Sequence, residues 1–408
     1  MENPSNKPGS GYDLKGEKLD PQLYILSFSK LFKDLGTGML AFLVPLYIVD
    51  LNSSLFSDTP IVVKAGIVAT VFGLSNALSQ PFMGRLSDRL DRRKIFIVAG
   101  MVGFTVLSFI YARTTEFEYV VLFRFIQGIT VGATVPAIVA TVTYLSTSHT
   151  RGRAIGIYSS LRGFGFGTGS ILGGIIVNYY DFSSAFYVCA LLGLISTFLI
   201  IFFVRDARDP PVKKSNVTIS SANGIQFRIL ALAMFMMMVG IMIIFAFLPE
   251  YRVRMDASEL SLSIAVSAYV ISRVLFQTPM GVISDSMGRK SMVALGLLIN
   301  VPIVVGLGYV DSIVQLIILR AFQGIAMAAV ETPVMALAVE LTGGSAVGSR
   351  VSTITASQAA GMALGPLIGG VLAGYVSFRT PFYICGILIL LSFVLVLAVI
   401  QEPENSSD

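Results

Sequence analysis

Charged residues are scarce in this 408-residue chain. Lys, Arg, Asp and Glu together make up 13% of the residues, while hydrophobic residues make up 54%. A soluble globular protein carries about 25% charged residues. A soluble fold of this size could not hide so much apolar surface, so the surroundings of the chain must be lipid. The composition therefore excludes a soluble protein and predicts a membrane protein.

Side chains for catalysis and metal binding are also few. The chain has one histidine, His149, and two cysteines, Cys189 and Cys385, which both fall in apolar segments. These residues offer neither metal-ligand spacing nor a disulfide framework. The sequence contains no phosphate-binding loop and no nucleophile motif. We therefore expect no enzyme activity, no cofactor and no metal. The net charge of +5 lies mainly beside the apolar segments, so it does not indicate nucleic acid as a partner.

Long apolar segments recur along the chain, each close to the ~20 residues with which a helix crosses the hydrocarbon core. Because the segments are continuous rather than alternating, they predict helices rather than the strands of a barrel. We expect an all-α membrane protein with about 12 transmembrane helices. The segments lie at about 22–49, 62–83, 95–112, 119–145, 154–179, 185–204, 228–249, 259–280, 291–310, 312–341, 351–376 and 381–401.

The distribution of lysine and arginine predicts the orientation in the membrane. With the N-terminus inside, most of these cations fall in inner loops, which places both termini in the cytoplasm of a multi-pass plasma-membrane protein. Residues 1–20 lack the apolar stretch of a signal peptide. The predicted divisions are a cytoplasmic segment 1–21, a six-helix bundle 22–205, a cytoplasmic linker 206–227, a second six-helix bundle 228–401 and a cytoplasmic tail 402–408.

The two halves of the chain repeat each other. Residues 84–94 read GRLSDRLDRRK and residues 281–290 read GVISDSMGRK, and each stretch is a predicted charged hairpin between two apolar segments. RFIQG at 124–128 and RAFQG at 320–324 are 196 residues apart, as are FYVC at 186–189 and FYIC at 382–385. Repeated halves of membrane helices are typical of secondary transporters.

These motifs make the chain resemble the major facilitator superfamily over about residues 20–402. The loop signature of that family is complete at Gly281, Asp285, Gly288, Arg289 and Lys290. The first copy has Gly84, Asp88, Arg92 and Arg93, with Asp91 where the family has a second Gly that permits positive φ. Arg124, Gln127 and Gly128 resemble the fourth-helix motif of the family.

Glycines of the fifth and eleventh helices resemble the antiporter motif of the same family. Their predicted role is close helix packing, since glycine lets two helices approach each other. The residues are Gly169, Gly173 and Gly174, with Ser170 in place of the usual proline, and Gly365, Pro366, Gly369 and Gly370.

The resemblance implies two six-helix halves, a small-molecule substrate that crosses by alternating access, and an antiporter coupled to protons. We expect a monomer in the lipid bilayer. Asp88 and Asp285 are predicted gating residues, each docking on a helix N-terminus of the opposite half, near Ser349–Ser352 and Gly152–Ala154 respectively. The alternative is that these charges only set the topology.

Ionisable residues inside predicted spans are functional candidates because burying them in a bilayer costs about 2.5–3.5 kcal/mol or more. Asp34 is the predicted proton carrier, and the family resemblance implies that Arg124 relays charge from it. The alternatives are a structural pair of Asp34 with Lys30 or Arg124, and a bracing role for Arg124 between helices. Glu331 is predicted to pair with Arg273, either structurally or as a second titrating site.

Two further patterns leave the substrate open. Six cationic residues lie within the predicted spans against two acidic ones. Since two of the cations, Arg162 and Arg273, could hold an anion, this excess favours an organic anion or organophosphate as the substrate. A run of methionines at 234–242 indicates either a permissive apolar cavity or a lipid-facing stripe. The leading hypothesis is proton-coupled export of small amphipathic or lipophilic compounds. The alternatives are an anion transporter and a non-transporting membrane sensor.

Overall fold

The computed structural model describes residues 19–90, 92–147, 150–206, 224–341 and 347–402, with the backbone alone at 347–350. His149, Asp91 and most of the predicted linker and termini lie outside the described residues. The α-helices are α1 Pro21–Tyr47, α2 Ile61–Leu90, α3 Arg93–Tyr111, α4 Phe117–Tyr144, α5 Arg151–Tyr179, α6 Phe182–Phe203, α7 Gly224–Met242, α8 Ile244–Met255, α9 Glu259–Met287, α10 Arg289–Leu307, α11 Ile313–Glu340, α12 Val347–Tyr375 and α13 Thr380–Val399.

These helices form twelve segments long and apolar enough to cross a membrane, as the apolar segments of the sequence predict. The prediction of an all-α fold with two six-helix halves is therefore confirmed. The two charged stretches are mostly helical rather than hairpins. Helix α2 continues to Leu90 and α9 continues to Met287, so each connection is only a few residues long. No proline or helix-ending glycine follows Gly84 or Gly281 before these helix ends, so the backbone keeps its intrahelical bonds past the apolar segment.

The seventh span is two helices, α7 and α8, with a break at Ile243. The N–H of Ala246 donates to the carbonyl of Ile243 three residues earlier, at 3.0 Å, which tightens the chain locally. Most of the methionine run lies inside the protein: Met234, Met237 and Met238 are buried. The prediction of a lipid-facing stripe is wrong for them, because α7 lies at the centre of its half and α12 and α13 cover it.

The same packing pattern occurs in both halves. In the first half α1 packs on α5 and α6, α4 packs on α2 and α3, and α3 packs on α6. In the second half α7 packs on α12 and α13, α11 packs on α9 and α10, and α10 packs on α13. This correspondence is the structural form of the sequence repeat.

The halves meet along two helix pairs, α2 with α12 and α5 with α9. We call the side with the α2–α3, α4–α5 and α9–α10 connections the basic face, and the other side the opposite face. The contacts lie towards the opposite face, where the Cβ position of Gly370 is 2.4 Å from the carbonyl oxygen of Val62 and that of Gly174 is 2.2 Å from Ser263 Oγ. Near the basic face, the Cβ positions of Gly152 and Gly156 on α5 have no described atom within 4 Å. In the described part of the chain, the halves are therefore closed against each other at the opposite face and open along the first turns of α5 at the basic face.

The predicted packing glycines lie at close helix approaches. The Cβ positions of Gly169 and Gly365 are 2.1 Å from the carbonyl oxygen of Leu35 and 2.9 Å from that of Val239, respectively. Gly173 faces Leu43 and Gly369 faces Ile243, while the carbonyl of Pro366 lies against Gly66 of the other half. These contacts agree with the predicted role of the glycines in close helix packing. Their importance for transport stays a prediction.

Candidate functional site

A cavity of about 170 Å³ lies between the halves, bounded by α1 to α5 of the first half and by α7, α8 and α12 of the second. Most of its wall is apolar. Four phenylalanines line it, Phe72, Phe104, Phe166 and Phe245, together with Met242 and Met362. Its polar lining residues are Thr37, Asn76, Gln80, Arg124 and Gln127. Such a wall suits an amphipathic molecule with one or a few polar groups.

Asn76 and Gln80 are functional candidates that sequence reasoning missed. They lie one helical turn apart on α2, and Gln80 Nε2 donates to Asn76 Oδ1 at 3.1 Å. The signal was present, since two amides four residues apart share one face of an otherwise apolar helix. Such a pair on α2 could have indicated a cavity wall.

Arg124 is buried in the wall of the cavity, with 4% of its surface exposed. Its Nη1 donates to Gln127 Oε1 at 2.9 Å and its Nη2 donates to the carbonyl of Leu40. The guanidinium also faces the rings of Phe72 and Tyr111, at 5.4 and 5.9 Å from their centroids. Arg124 does not contact Asp34 among these partners, so the predicted relay between the two is not a direct contact in this conformation.

Arg320 is the counterpart of Arg124 in the second half. Its Nη1 donates to Gln323 Oε1 at 2.5 Å and to the carbonyl of Ile241 at 3.2 Å, next to the break between α7 and α8. Its guanidinium lies 4.7 Å from the ring centroid of Tyr269. Arg320 is fully buried and is not part of the cavity lining. The repeated arginine thus braces both halves, but only the first copy reaches the cavity.

Asp34 lies in the middle of α1 and is buried together with two lysines. Lys30 Nζ forms an ion pair with Asp34 Oδ1, and Lys33 Nζ lies 3.8 Å from the same oxygen. Asp34 Oδ2 has no hydrogen-bond partner among the described residues. Asp34 does not line the cavity, but Lys33 lies 5.3 Å from the ring centroid of Phe104, which does. Of the two structural pairs predicted as alternatives to proton carriage, the described residues therefore contain that of Asp34 with Lys30 and not that with Arg124.

Arg162 on α5 adds a positive charge to this cluster. It interacts electrostatically with Lys30 and Lys33, and it lies next to Tyr158. Arg162 is exposed, whereas Lys30 and Lys33 are 3% and 1% exposed. With side chains in their ordinary charge states, the cluster holds three cations around one carboxylate.

Arg273 and Glu331 are brought together in the second half. Arg273 Nε donates to Glu331 Oε2 at 2.9 Å, and Arg273 Nη2 donates to Glu331 Oε1 at 2.8 Å. Gln358 of α12 also donates to Glu331 Oε1, at 3.0 Å. The predicted pair is thus present, with a third member that sequence reasoning missed. The anion clamp of Arg162 and Arg273 stays a prediction, and Arg273 is already engaged by Glu331 in this conformation.

The predicted gating loops lie at the basic face. Gly288 has φ of 90°, the positive value that its place in the loop signature predicts. Arg289 bridges Asp285, at 3.4 Å, and Glu340 at the end of α11, at 2.8 Å. Asp88, Arg92 and Gly84 lie in the corresponding first copy with Arg93 at the start of α3. The predicted docking of Asp285 near Gly152 is not made here, because the basic face is open, and the side chain of Arg350 lies outside the described residues.

Two carboxylates that the sequence patterns did not single out hold these loops. Asp206 Oδ1 accepts from the backbone N–H of Lys94 at 3.0 Å, and Glu402 Oε1 accepts from that of Lys290 at 2.5 Å. The two carboxylates are 196 residues apart, as are the two lysines. Each ties the end of the sixth helix of its half to the start of the third. The repeat in the sequence could have indicated this pair of contacts, because an acidic residue follows the last span of each half.

The sequence of this chain is similar to a known family and to known proteins. The sequence model of the Major Facilitator Superfamily matches residues 26–256 and 230–408. Quinolone resistance protein NorA of Staphylococcus aureus (strain Mu50) is 27% identical over 190 residues, 47% of this chain and 47% of NorA. The chain thus spans about half the length of this relative in the match. The uncharacterized MFS-type transporter MJ1317 of Methanocaldococcus jannaschii is 24% identical over 327 residues, 76% of this chain and 78% of MJ1317.

Solved structures share the fold. A bacterial homologue of the human lysosomal transporter Spinster, in an inward-facing and occupied conformation, has a TM-score of 0.76 at 15% identity over 94% of this chain and 97% of its own. The human organic anion transporter MFSD10 (TETRAN) has a TM-score of 0.66 at 18% identity over 92% of this chain and 100% of its own. At these identities the likeness concerns the fold alone.

Proposed function

The chain belongs to the Major Facilitator Superfamily and is a membrane transporter of that family, and we propose that it exports small amphipathic or lipophilic compounds in exchange for protons. NorA, whose name associates it with quinolone resistance, supports an export function. The positive-inside rule places the basic face in the cytoplasm. In this orientation the open side of the structure faces the compartment from which an exporter loads its substrate.

The cavity is the observation that carries the proposal. It lies between the two halves, its wall is mostly apolar, and it is closed towards the opposite face by the glycine contacts of α2 with α12 and α5 with α9. An apolar wall with a few polar side chains and one arginine accommodates lipophilic bodies of varied shape. Alternating access then requires the contacts at the opposite face to open as the basic face closes.

Asp34 and Glu331 are the carboxylates proposed to carry the proton. Both lie within membrane spans and both are paired with cations. Protonation of Asp34 would release Lys30 from its pair, and protonation of Glu331 would release Arg273. Each step changes the charge on one side of the cavity, which gives a proton a means to bias the two conformations. The gating role of Asp88 and Asp285 belongs to the same proposal, as do a monomeric state and a plasma-membrane location.

Transport in proteoliposomes with an imposed pH gradient and a pH-sensitive dye inside tests this function. We expect amphipathic compounds to drive proton movement in the opposite direction, and Asp34→Asn or Glu331→Gln to abolish it. Gly156→Ala is the control variant. No described atom lies within 4 Å of the added methyl group, so this variant should keep the wild-type transport rate. If no compound moves protons, or if both carboxylate variants retain full exchange, the proposed proton coupling is wrong.

Transport of small organic anions is the second candidate. It is favoured by the six cations against two acids within the spans: Lys30, Lys33, Arg124, Arg162, Arg273 and Arg320 against Asp34 and Glu331. Neutralising Arg162 alone separates the candidates, because it removes a cation without breaking the Arg273–Glu331 pair. Loss of anion transport with retained transport of neutral compounds would favour this second function.

A further inference from the structure

Arg124 brings a full positive charge to the wall of the cavity with no described carboxylate within ion-pair distance. Its two hydrogen-bond acceptors, Gln127 and the carbonyl of Leu40, are neutral. Arg124 Nε is buried and has no hydrogen-bond partner among the described residues. A guanidinium carries five N–H donors and stays protonated in proteins. The site therefore has both unused donor capacity and an uncompensated charge.

The rest of the cavity wall also lacks a negative charge. Among its described lining residues there is no aspartate and no glutamate, and the remaining polar groups are the neutral side chains of Thr37, Asn76, Gln80 and Gln127. Lys33, which lies behind the cavity-lining ring of Phe104, has the carboxylate of Asp34 3.8 Å away and adds no uncompensated charge. In surroundings of low dielectric constant, the charge of Arg124 makes the cavity favourable for anions and unfavourable for cations.

The apolar part of the wall indicates the rest of the ligand. Phe72 lies beneath the guanidinium of Arg124, and Phe104, Phe166 and Phe245 complete an aromatic lining. Aromatic rings pack well in such a wall, in offset or edge-to-face contact. A ligand with an aromatic body and one anionic group would pack against the wall and supply the counter-charge that Arg124 lacks among the described residues.

From this arrangement we infer that the cavity is a binding site for aromatic amphiphiles with a single anionic group, and that Arg124 binds that group. Resting on the proposed function, this inference names the substrate class of the same cavity. It assigns the anion contact to Arg124, and not to Arg162 and Arg273, the residues predicted from the sequence.

Three probes that share one ring system test the inference. They are naphthalene-2-sulfonate, the neutral naphthalene-2-sulfonamide and the cation (naphthalen-2-ylmethyl)trimethylammonium. Binding to the purified full chain in lipid nanodiscs is measured by equilibrium dialysis. A hydrogen bond to a charged group contributes about 1.5–3 kcal/mol, so we expect the sulfonate to bind roughly 10- to 100-fold more tightly than the sulfonamide. Equal binding of the two, or preference for the cation, would overturn the inference.

Gln127→Glu is the informative variant because it preserves the shape of the site. Gln127 Oε1 already accepts from Arg124 at 2.9 Å, so a glutamate there supplies the missing negative charge. We expect the preference for the sulfonate to disappear while sulfonamide binding changes by less than about threefold. Arg124→Gln should have the same effect on the preference where the variant folds.

The second half supplies the matched control. Gln323 holds Arg320 as Gln127 holds Arg124, but neither Gln323 nor Arg320 lines the cavity. Gln323→Glu should therefore leave the sulfonate preference intact. If Gln127→Glu keeps the preference, or if Gln323→Glu removes it equally, Arg124 is not the anion site.

Proton movement with the same probes separates this inference from the proposed function. If the ammonium probe moves protons and the sulfonate neither binds preferentially nor moves them, the proton-coupled exporter stands and the anion site is wrong. If the sulfonate binds in a Gln127-sensitive way but no probe moves protons, the anion site stands and the proton coupling is wrong.

Discussion

Glu331 holds the guanidinium of Arg273 by two hydrogen bonds, although the two side chains lie on different helices, α11 and α9. Their side chains are 12% and 30% exposed. Losing one member of a fully buried pair costs about 3–5 kcal/mol, and partial exposure reduces this cost. We expect Glu331→Gln to lower the free energy of unfolding by about 1–3 kcal/mol.

Thermal unfolding in detergent with a thiol-reactive dye measures this change. Cys189 and Cys385 are both buried, one in each half, so the dye reports unfolding. The double variant Arg273→Gln with Glu331→Gln removes both charges, and we expect it to be more stable than the sum of its single variants predicts. Strict additivity would mean that the pair contributes nothing as a pair.

Asp34 is the one described carboxylate that pairs with Lys30 and Lys33, and its removal should destabilise the first half. Asp34→Asn leaves Lys30 and Lys33 buried without a counter-charge, which we expect to cost about 3 kcal/mol or more. The double variant Lys30→Met with Asp34→Asn should recover most of that loss. The same dye assay reads both variants. A wild-type melting temperature for Asp34→Asn would show that the carboxylate is not needed as a counter-charge.

Crowding the contacts at the opposite face should shift the conformation. At Gly370 a methyl group would lie 2.4 Å from the backbone oxygen of Val62, which cannot rotate away. We expect Gly370→Ala to disfavour the state that is closed at this face. Spin labels at Leu90 and Met287, exposed equivalent positions at the basic-face ends of α2 and α9, should then report a shorter distance. Gly156→Ala, in open space, should leave the distance distribution unchanged.

Gly288 should tolerate no side chain. Its φ of 90° is unfavourable for other residues, and a Cβ there would lie 2.9 Å from both carboxylate oxygens of Glu402. We expect Gly288→Ala to lower stability by about 1–3 kcal/mol and to loosen the tie between Glu402 and Lys290. Gly84→Ala is the control, since its nearest contact is an ordinary 3.4 Å to Pro136. Equal melting temperatures for the two variants would contradict this account.

The repeat between the two halves of the sequence predicted more of the structure than the lengths of the individual spans did. It related Arg124 to Arg320 and the two loop signatures to each other, and the predicted pair of Glu331 with Arg273 is present in the structure. It could not separate the two arginines, because only three-dimensional packing decides that Arg124 borders the cavity and Arg320 does not. The break at Ile243 and the burial of Met237 were equally beyond reach, since an apolar run gives no sign of whether protein or lipid surrounds it.

The two helix pairs that join the halves have a mechanical consequence. Each half behaves as one packed body, and α2–α12 and α5–α9 are related by the approximate twofold symmetry of the repeat. A rigid rotation that keeps this symmetry therefore separates both pairs at the opposite face together. We therefore expect a single disulfide between cysteines substituted for Gly167 on α5 and Val270 on α9, which lie in contact, to hold both helix pairs together.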